Sequence, residues 1–299
     1  MYKIEHQKDH QSNQVKLMNS SKTSYAVISL NQGASLQKLT IKDTAIIEDL
    51  LPLKYAETYA SSVLFPFANR IKDGIYTFNE KQYQLETNHK EENNALHGFV
   101  YDKTFKILSE NVSDSEASIK LEYEEFKISK GFPYTYTVQL IYTLNEDVLN
   151  LNVFVKNTDS KPFPFTIGWH PYFMSKNLYN SKVKFDCSKK VILGDRLITT
   201  GTEDYPHNES IQIEDKQLDD CFILDSNKIH FLTPEYDLEM TSSSKDTFLQ
   251  LYTPPKKNTI AIEPTTGISD SFNNTIGLQI LEPGNTYTID WTIKLNLKS

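Results

Sequence analysis

The chain has 299 residues and a formal net charge of −8 at pH 7. Such an acidic chain lacks the basic surface that binds nucleic acid or an anionic membrane, so we expect neither partner. The length is compatible with one large β domain, and we expect a single domain over residues 1–299.

Composition also bears on compartment and redox chemistry. No apolar run approaches the roughly 18 residues needed to cross a bilayer, and residues 1–7 contain no apolar leader segment. The two cysteines, Cys187 and Cys221, lie outside any C-x-x-C pattern, which disfavours a zinc ribbon or a thiol redox centre. We therefore expect a cytoplasmic protein with two buried thiols. The sequence leaves a monomer and a homodimer both open.

Alternation of apolar and polar residues, which places one face of a strand against a core, recurs along the first half of the chain. It predicts strands at residues 25–30, 36–41, 74–78, 82–85, 105–108 and 118–123.

The clearest alternation runs over residues 134–144 and resumes over 149–155 after the polar turn at Asn145, which predicts a β-hairpin. Further strands are predicted at residues 237–241, 248–252 and 287–297. No window of a dozen residues carries a helical apolar stripe, so helix is confined to a turn near residues 50–59 or 269–273. These patterns predict an all-β fold, an antiparallel sandwich or barrel with very little helix.

Two histidines have neighbours that are unusual for a surface residue. His97 lies between Leu96 and Gly98, and a glycine there permits a sharp turn or a close backbone approach to a ligand. His170 follows Trp169 and precedes Pro171-Tyr172-Phe173, an aromatic setting that is typical of pockets for sugar rings. Each is also compatible with a core histidine whose hydrogen bonds are satisfied.

A carboxylate and an arginine complete the candidate set. Glu263 follows Ile260-Ala261-Ile262, and burial there would raise its pKa; an edge strand with solvent access is the alternative. The chain has only two arginines, Arg70 and Arg196. Arg70 lies in an apolar context after Asn69, where its planar fork suits either a ligand with two oxygens or a structural ion pair.

Asp219 and Asp220 precede an apolar run, so one of them is a candidate to face inward at a strand start, and a turn pair is the alternative. The chain contains no G-x-S-x-G, H-E-x-x-H, Walker or G-x-G-x-x-G motif. Neither His97 nor His170 has another histidine at the i,i+2 or i,i+4 spacing of a local metal cluster, and we expect no metal.

Several of these segments together resemble the aldose 1-epimerase (galactose mutarotase) family. The resemblance extends from about residue 20 to the end of the chain. In chain order it rests on Asn69-Arg70-Ile71, Gly74-Ile75-Tyr76-Thr77, Asn94-Ala95-Leu96-His97-Gly98, His170-Pro171-Tyr172-Phe173, Glu263 and Leu281-Glu282-Pro283-Gly284.

The resemblance implies a large antiparallel β-supersandwich and cofactor-independent interconversion of the α and β anomers of a free hexose such as galactose or glucose. It implies that His170 is the general acid and Glu263 the general base. Arg70, His97 and an aspartate, Asp219 or Asp220 with Asp219 preferred, are implied to hold the sugar. We add Asn69 and Trp169 as candidate sugar-binding residues.

Two departures from the family pattern leave the substrate open. The segment after Glu263 differs from that of the galactose mutarotases. The branch that acts on hexose 6-phosphates usually carries an arginine shortly after its His-Gly-Phe segment. In this chain no arginine lies shortly after His97-Gly98-Phe99. The alternatives are therefore a hexose-6-phosphate 1-epimerase and a carbohydrate-binding protein with little turnover. A glycoside hydrolase or lyase is disfavoured, because a hydrolase usually needs two carboxylates flanking the bond.

Overall fold

The computed structural model describes residues 1–8, 13–127, 129–245 and 247–297. The chain is 56% strand and 7% helix, and its strands pair antiparallel. This confirms the predicted all-β fold with very little helix. No helix in these ranges is long and apolar enough to cross a membrane.

The strands follow one another along the whole described chain. The first nine are β1 (Tyr2–Lys8), β2 (Asn13–Asn19), β3 (Tyr25–Ser29), β4 (Ser35–Ile41), β5 (Thr44–Ile47), β6 (Val63–Leu64), β7 (Arg70–Ile71), β8 (Ile75–Phe78) and β9 (Lys81–Gln84). The next nine are β10 (Ala95–Leu96), β11 (Lys106–Val112), β12 (Ala117–Glu125), β13 (Tyr136–Leu144), β14 (Val148–Asn157), β15 (Phe163–Phe165), β16 (Gly168–Trp169), β17 (Tyr172–Met174) and β18 (Lys182–Leu193). The last are β19 (Thr199–His207), β20 (Ser210–Gln212), β21 (Asp219–Leu232), β22 (Tyr236–Ser242), β23 (Phe248–Tyr252), β24 (Thr259–Thr265), β25 (Gln279–Leu281) and β26 (Thr286–Leu297).

Within the described residues, helix is limited to short turns. The α-helical turns are α1 (Tyr55–Thr58) and α2 (Ser271–Asn274), which lie in or beside the two segments where the sequence predicts them. Turns of 3-10 helix occupy Lys72–Gly74, Val100–Asp102, Leu178–Asn180 and Asp195–Leu197.

Two large sheets organise the strands. One has five strands in the order β1-β2-β3-β4-β5. The other has fifteen, with the main path β11-β12-β13-β14-β26-β22-β21-β23-β24-β16-β6 and with β17 to β20 attached beside it. The buried apolar side chains of both sheets form one main core, which includes Val15, Leu39, Leu140, Leu151 and Trp291.

The predicted hairpin is formed by β13 and β14, which pair from Tyr136 with Asn157 to Leu144 with Leu149. Alternate residues of both strands are buried, as the period of two requires. Strand β24 differs, because all seven of its residues are buried. It lies between β23 on one edge and β16 and β17 on the other, and this position places Glu263 inside the protein.

Candidate functional site

A polar cavity of about 330 Å³ opens where several distant segments meet. Six of the residues singled out from the sequence line it: Asn69, Arg70, His97, His170, Asp219 and Glu263. A larger cavity of about 540 Å³ includes the aromatic side chains of Phe99, Phe132 and Tyr136 in its lining and contains none of these six. The smaller cavity is therefore the candidate site.

His170 and Glu263 form a buried pair in this cavity. The distance from His170 Nε2 to Glu263 Oε1 is 3.4 Å, and the two residues are only 5% and 3% exposed. The imidazole stacks on Tyr172 at a centroid distance of 4.9 Å, and it meets the ring of His97 edge-on at 5.1 Å. Backbone bonds to Ser61 and Ser62 fix the segment that carries it. The acid–base candidates are thus brought together from segments far apart in sequence.

Burial controls the protonation of this pair. It lowers the pKa of His170 to about 3. It also raises the pKa of Glu263 well above its usual value, and the nearby charge of Asp219 adds to that rise. A carboxylate beside His170 would keep the imidazole protonated, but here the loss of hydration outweighs the attraction. Both shifts favour the neutral form of the pair, in which the one proton that the two groups share lies on Glu263.

His97 is held in one tautomer by the backbone. Its Nδ1 accepts a hydrogen bond from the N–H of Asn69 at 3.3 Å, so the ring proton lies on Nε2. Burial lowers the pKa of His97 well below its usual value, so the ring is a neutral donor. Gly98 follows with a φ of +69°, and a Cβ there would lie 2.2 Å from the carbonyl oxygen of Phe65. The glycine is thus required by a close backbone approach rather than by a ligand.

Arg70 is both ion-paired and part of the cavity lining. Its Nε lies 2.5 Å from Glu92 Oε2 and its Nη2 lies 3.1 Å from Glu92 Oε1, a bidentate pair. Its Nη1 donates to Asn69 Oδ1 at 3.1 Å. The sequence left open a structural ion pair or a ligand-facing group, and the structure shows the ion pair in a side chain that also lines the cavity.

The two adjacent aspartates point to different places. Asp219 lines the cavity and accepts a hydrogen bond from Gln250 Nε2 at 2.7 Å. Burial raises the pKa of Asp219. Asp220 lies 2.5 Å from Lys190 Nζ and is outside the lining. Of the two aspartates, Asp219 is therefore the one that faces the cavity.

Trp169 does not join the site, which corrects the expectation from its neighbours in sequence. Its side chain is fully buried, stacks against Trp291 at a centroid distance of 6.0 Å and donates from Nε1 to the carbonyl oxygen of Ser61 at 3.0 Å. His170, the residue directly after β16, reaches the cavity, while Trp169 at the end of β16 enters the core.

Several polar residues of the lining were not singled out from the sequence, among them Gln250 and Glu92. Gln250 is 5% exposed, lies opposite Glu263 in the register of β23 and β24, and accepts from Asn69 Nδ2 at 3.3 Å. A glutamine within the apolar run Phe248–Tyr252 was the available signal. Glu92 lies in a charged, glutamate-rich loop segment, where nothing in the sequence indicates its pairing with Arg70.

Side chains that could bind a metal ion are not clustered in the described part of the chain. Within the described ranges, no group of three or more histidine, cysteine, aspartate or glutamate side chains is arranged to hold one. The cavity side chains instead form a network of hydrogen bonds from Arg70 through Asn69 and Gln250 to Asp219. Such a set of donors and acceptors is suited to hydroxyl groups.

Solved structures are similar to the chain over its whole length. A galactose mutarotase-like protein from Clostridium acetobutylicum has a TM-score of 0.87 at 19% identity, covering 99% of each chain. Galactose 1-epimerase from Lactobacillus acidophilus has a TM-score of 0.80 at 15% identity, covering 100% of this chain and 99% of that one. At these identities the similarity shows the fold, which is galactose mutarotase-like.

Sequence comparisons extend this result. The uncharacterised protein YihR of Escherichia coli is 24% identical over 274 residues, 87% of each chain. Galactose mutarotase of Sus scrofa is 28% identical over 190 residues, 58% of this chain and 52% of that enzyme, so the match spans about half of the mammalian protein. The model of the aldose 1-epimerase family matches residues 14–294. The chain belongs to the aldose 1-epimerase family.

Proposed function

We propose that the protein is an aldose 1-epimerase that interconverts the α and β anomers of a free hexose, such as galactose or glucose, without a cofactor. The observation that carries the proposal is the buried His170–Glu263 pair, with Nε2 and Oε1 3.4 Å apart in a cavity of hydroxyl-binding groups. Anomer exchange needs one group that accepts a proton and one that donates a proton, and this pair supplies both.

The reaction requires the ion-pair form of the two residues. That form differs from the neutral form by transfer of one proton from Glu263 to His170. The Glu263 carboxylate then accepts the proton of the C1 hydroxyl while the C1–O5 bond breaks, and the His170 imidazolium donates its proton to O5. The product is the open-chain aldehyde. Rotation about C1–C2 followed by the reverse transfers closes the ring on the other face and restores both residues.

The other lining residues are proposed to hold the sugar in place. Within the described part of the chain, two of the five N–H groups of Arg70 have no hydrogen-bond partner, which leaves them for sugar oxygens. His97 offers its Nε2 proton, and Asp219 accepts hydroxyl protons. Because Gln250 joins Asn69 to Asp219, these groups keep fixed relative positions, which is the condition for alignment of the reacting atoms.

Polarimetry tests the proposal. The purified protein is expected to accelerate the change in optical rotation of fresh α-D-galactose or α-D-glucose, and Glu263→Gln or His170→Asn is expected to abolish most of that acceleration. His230 and Glu239 form a matched control pair outside the cavity, with Nε2 and Oε2 4.0 Å apart, and His230→Asn and Glu239→Gln should retain the rate.

The outcomes separate the alternatives. Full activity in Glu263→Gln and His170→Asn would refute the assignment of this pair. Sugar binding by the wild type without acceleration for any aldose would favour the carbohydrate-binding alternative.

A further inference from the structure

The cavity lining is rich in carboxylates and poor in cations. Among the described residues that line it, Arg70 is the one permanent cation, and no lysine contributes. The carboxylates are those of Glu57, Glu91, Glu92, Asp219 and Glu263. The buried histidines add no positive charge at neutral pH, because burial lowers the pKa of both His97 and His170.

Glu92 neutralises that single cation. Its two oxygens lie 2.5 and 3.1 Å from Nε and Nη2 of Arg70, and both side chains are largely buried, at 20% and 13% exposed. Burial acts to raise the pKa of Glu92, but the hydrogen bonds and the charge of Arg70, together with smaller contributions from His89 and Asn94, outweigh burial and hold the pKa below its usual value. The carboxylate is therefore ionised at neutral pH.

The loop that carries Glu92 is itself fixed. Asn94 Nδ2 lies 3.4 Å from Glu92 Oε2, and Arg196 donates from Nη1 to the carbonyl oxygen of Glu92 at 3.1 Å. The same Nη1 lies 2.8 Å from Asp73. The second arginine of the chain thus supports the backbone that positions the partner of the first.

We propose that Glu92 is a specificity-determining residue that restricts this cavity to uncharged sugars. It acts through Arg70, by cancelling its charge and by fixing the direction of its two free N–H groups. A sugar that carries a phosphate or carboxylate group would find no unpaired cation and would meet several carboxylates, a repulsive arrangement that selects against it. This inference rests on the proposed function and assigns its substrate class.

The test compares anionic with neutral sugars of the same configuration. Anomer exchange of D-galactose, D-galactose 6-phosphate and D-galacturonate at equilibrium can be followed by magnetisation exchange between the two H1 signals in proton NMR, which gives kcat/KM for each. The wild type is expected to favour galactose strongly. In Glu92→Gln the ratio of anionic to neutral kcat/KM should rise by about tenfold or more, which corresponds to about 1.4 kcal/mol.

Two variants control for general charge and for structure. Glu91→Gln removes the same charge from an adjacent exposed position of the lining, and its ratio should stay near that of the wild type. Glu92→Asp keeps the charge beside Arg70 and should also keep the wild-type ratio. Equal increases in Glu91→Gln and Glu92→Gln, or no increase in Glu92→Gln, would overturn the proposal.

Equilibrium binding separates this inference from the proposed function. If the wild type exchanges no sugar, calorimetric titration with D-galactose and D-galactose 6-phosphate still measures the preference of the cavity. Preference for galactose that is lost in Glu92→Gln would support the role of Glu92 even then. Tighter binding of the phosphate by the wild type would refute it whatever the catalytic result.

Discussion

Strands β14 and β24 belong to the same sheet but differ in which of their residues are buried. In β14 alternate residues are buried, and polar residues such as Asn152 lie on the other face, where Asn152 Nδ2 donates to Asp290 at 2.7 Å. In β24 all seven residues are buried, because β23, β16 and β17 pair with its edges and the protein covers both faces. A charged group on β24, such as Glu263, therefore loses its hydration. One strand supplies stability and the other supplies a perturbed acid or base.

The largest expected effect is on catalysis at β24. Glu263→Gln or His170→Asn alone should lower kcat/KM for galactose by a factor of about 10² to 10⁴, the usual contribution of positioned proton transfer. The double variant should lose little more, because the two residues exchange one proton and act as a unit. NMR exchange rates of the three variants measure this. If the loss of kcat/KM in the double variant equalled the product of the losses in the two single variants, the residues would act independently, which would contradict a coupled pair.

The next effect is on stability at β14. Leu151 is fully buried against the core, so Leu151→Ala should lower the free energy of unfolding by about 2 to 5 kcal/mol. Lys156→Ala, at an exposed position of the same strand, should change it by less than about 0.5 kcal/mol. Urea unfolding provides the values. If Leu151→Ala reduced activity at temperatures where it is still folded, the division of roles between the two strands would be wrong.

The smallest effect is a difference in pH dependence. The folded pKa of Glu263 lies well above 4.5. At pH values between the unfolded pKa, near 4.5, and the higher folded pKa, the folded state retains a proton that the unfolded state has lost. Wild-type stability therefore falls as pH rises, by up to about 1.4 kcal/mol per pH unit. Glu263→Gln removes this loss. Its stability relative to the wild type should therefore increase from pH 5 to pH 8.

Urea unfolding at several pH values measures that difference. The lowered pKa of His170, about 3, has the opposite sign and adds stability as pH rises towards 6.5, so the comparison is cleanest above neutral pH. Glu239→Gln serves as the control, because that side chain is 30% exposed. A difference in the free energy of unfolding between Glu263→Gln and the wild type that stays constant from pH 5 to pH 8 would contradict the raised pKa of Glu263.

The alternation of apolar and polar residues predicted some strands of this fold and missed others. The predicted hairpin at residues 134–144 and 149–155 is confirmed by β13 and β14. Strand β24 is absent from the strands predicted by alternation, because its apolar run shows none, and the sequence left open whether Glu263 is buried or lies on an edge strand. Strand β18 (Lys182–Leu193) was also missed, since β-bulges in its pairing with β19 and β21 interrupt the period of two.

By itself the sequence determined the all-β class, the short helical turns and the chemical types of the residues that meet in the cavity, because these depend on local periodicity and on recurring motifs. Only the tertiary structure decided that Asp219 rather than Asp220 faces the cavity, that Trp169 enters the core and that Glu92 caps Arg70. It also decided that burial lowers the pKa of His170 and raises the pKa of Glu263. The physical reason is that burial and distance depend on which strands and loops come together, and residues far apart in the chain determine both.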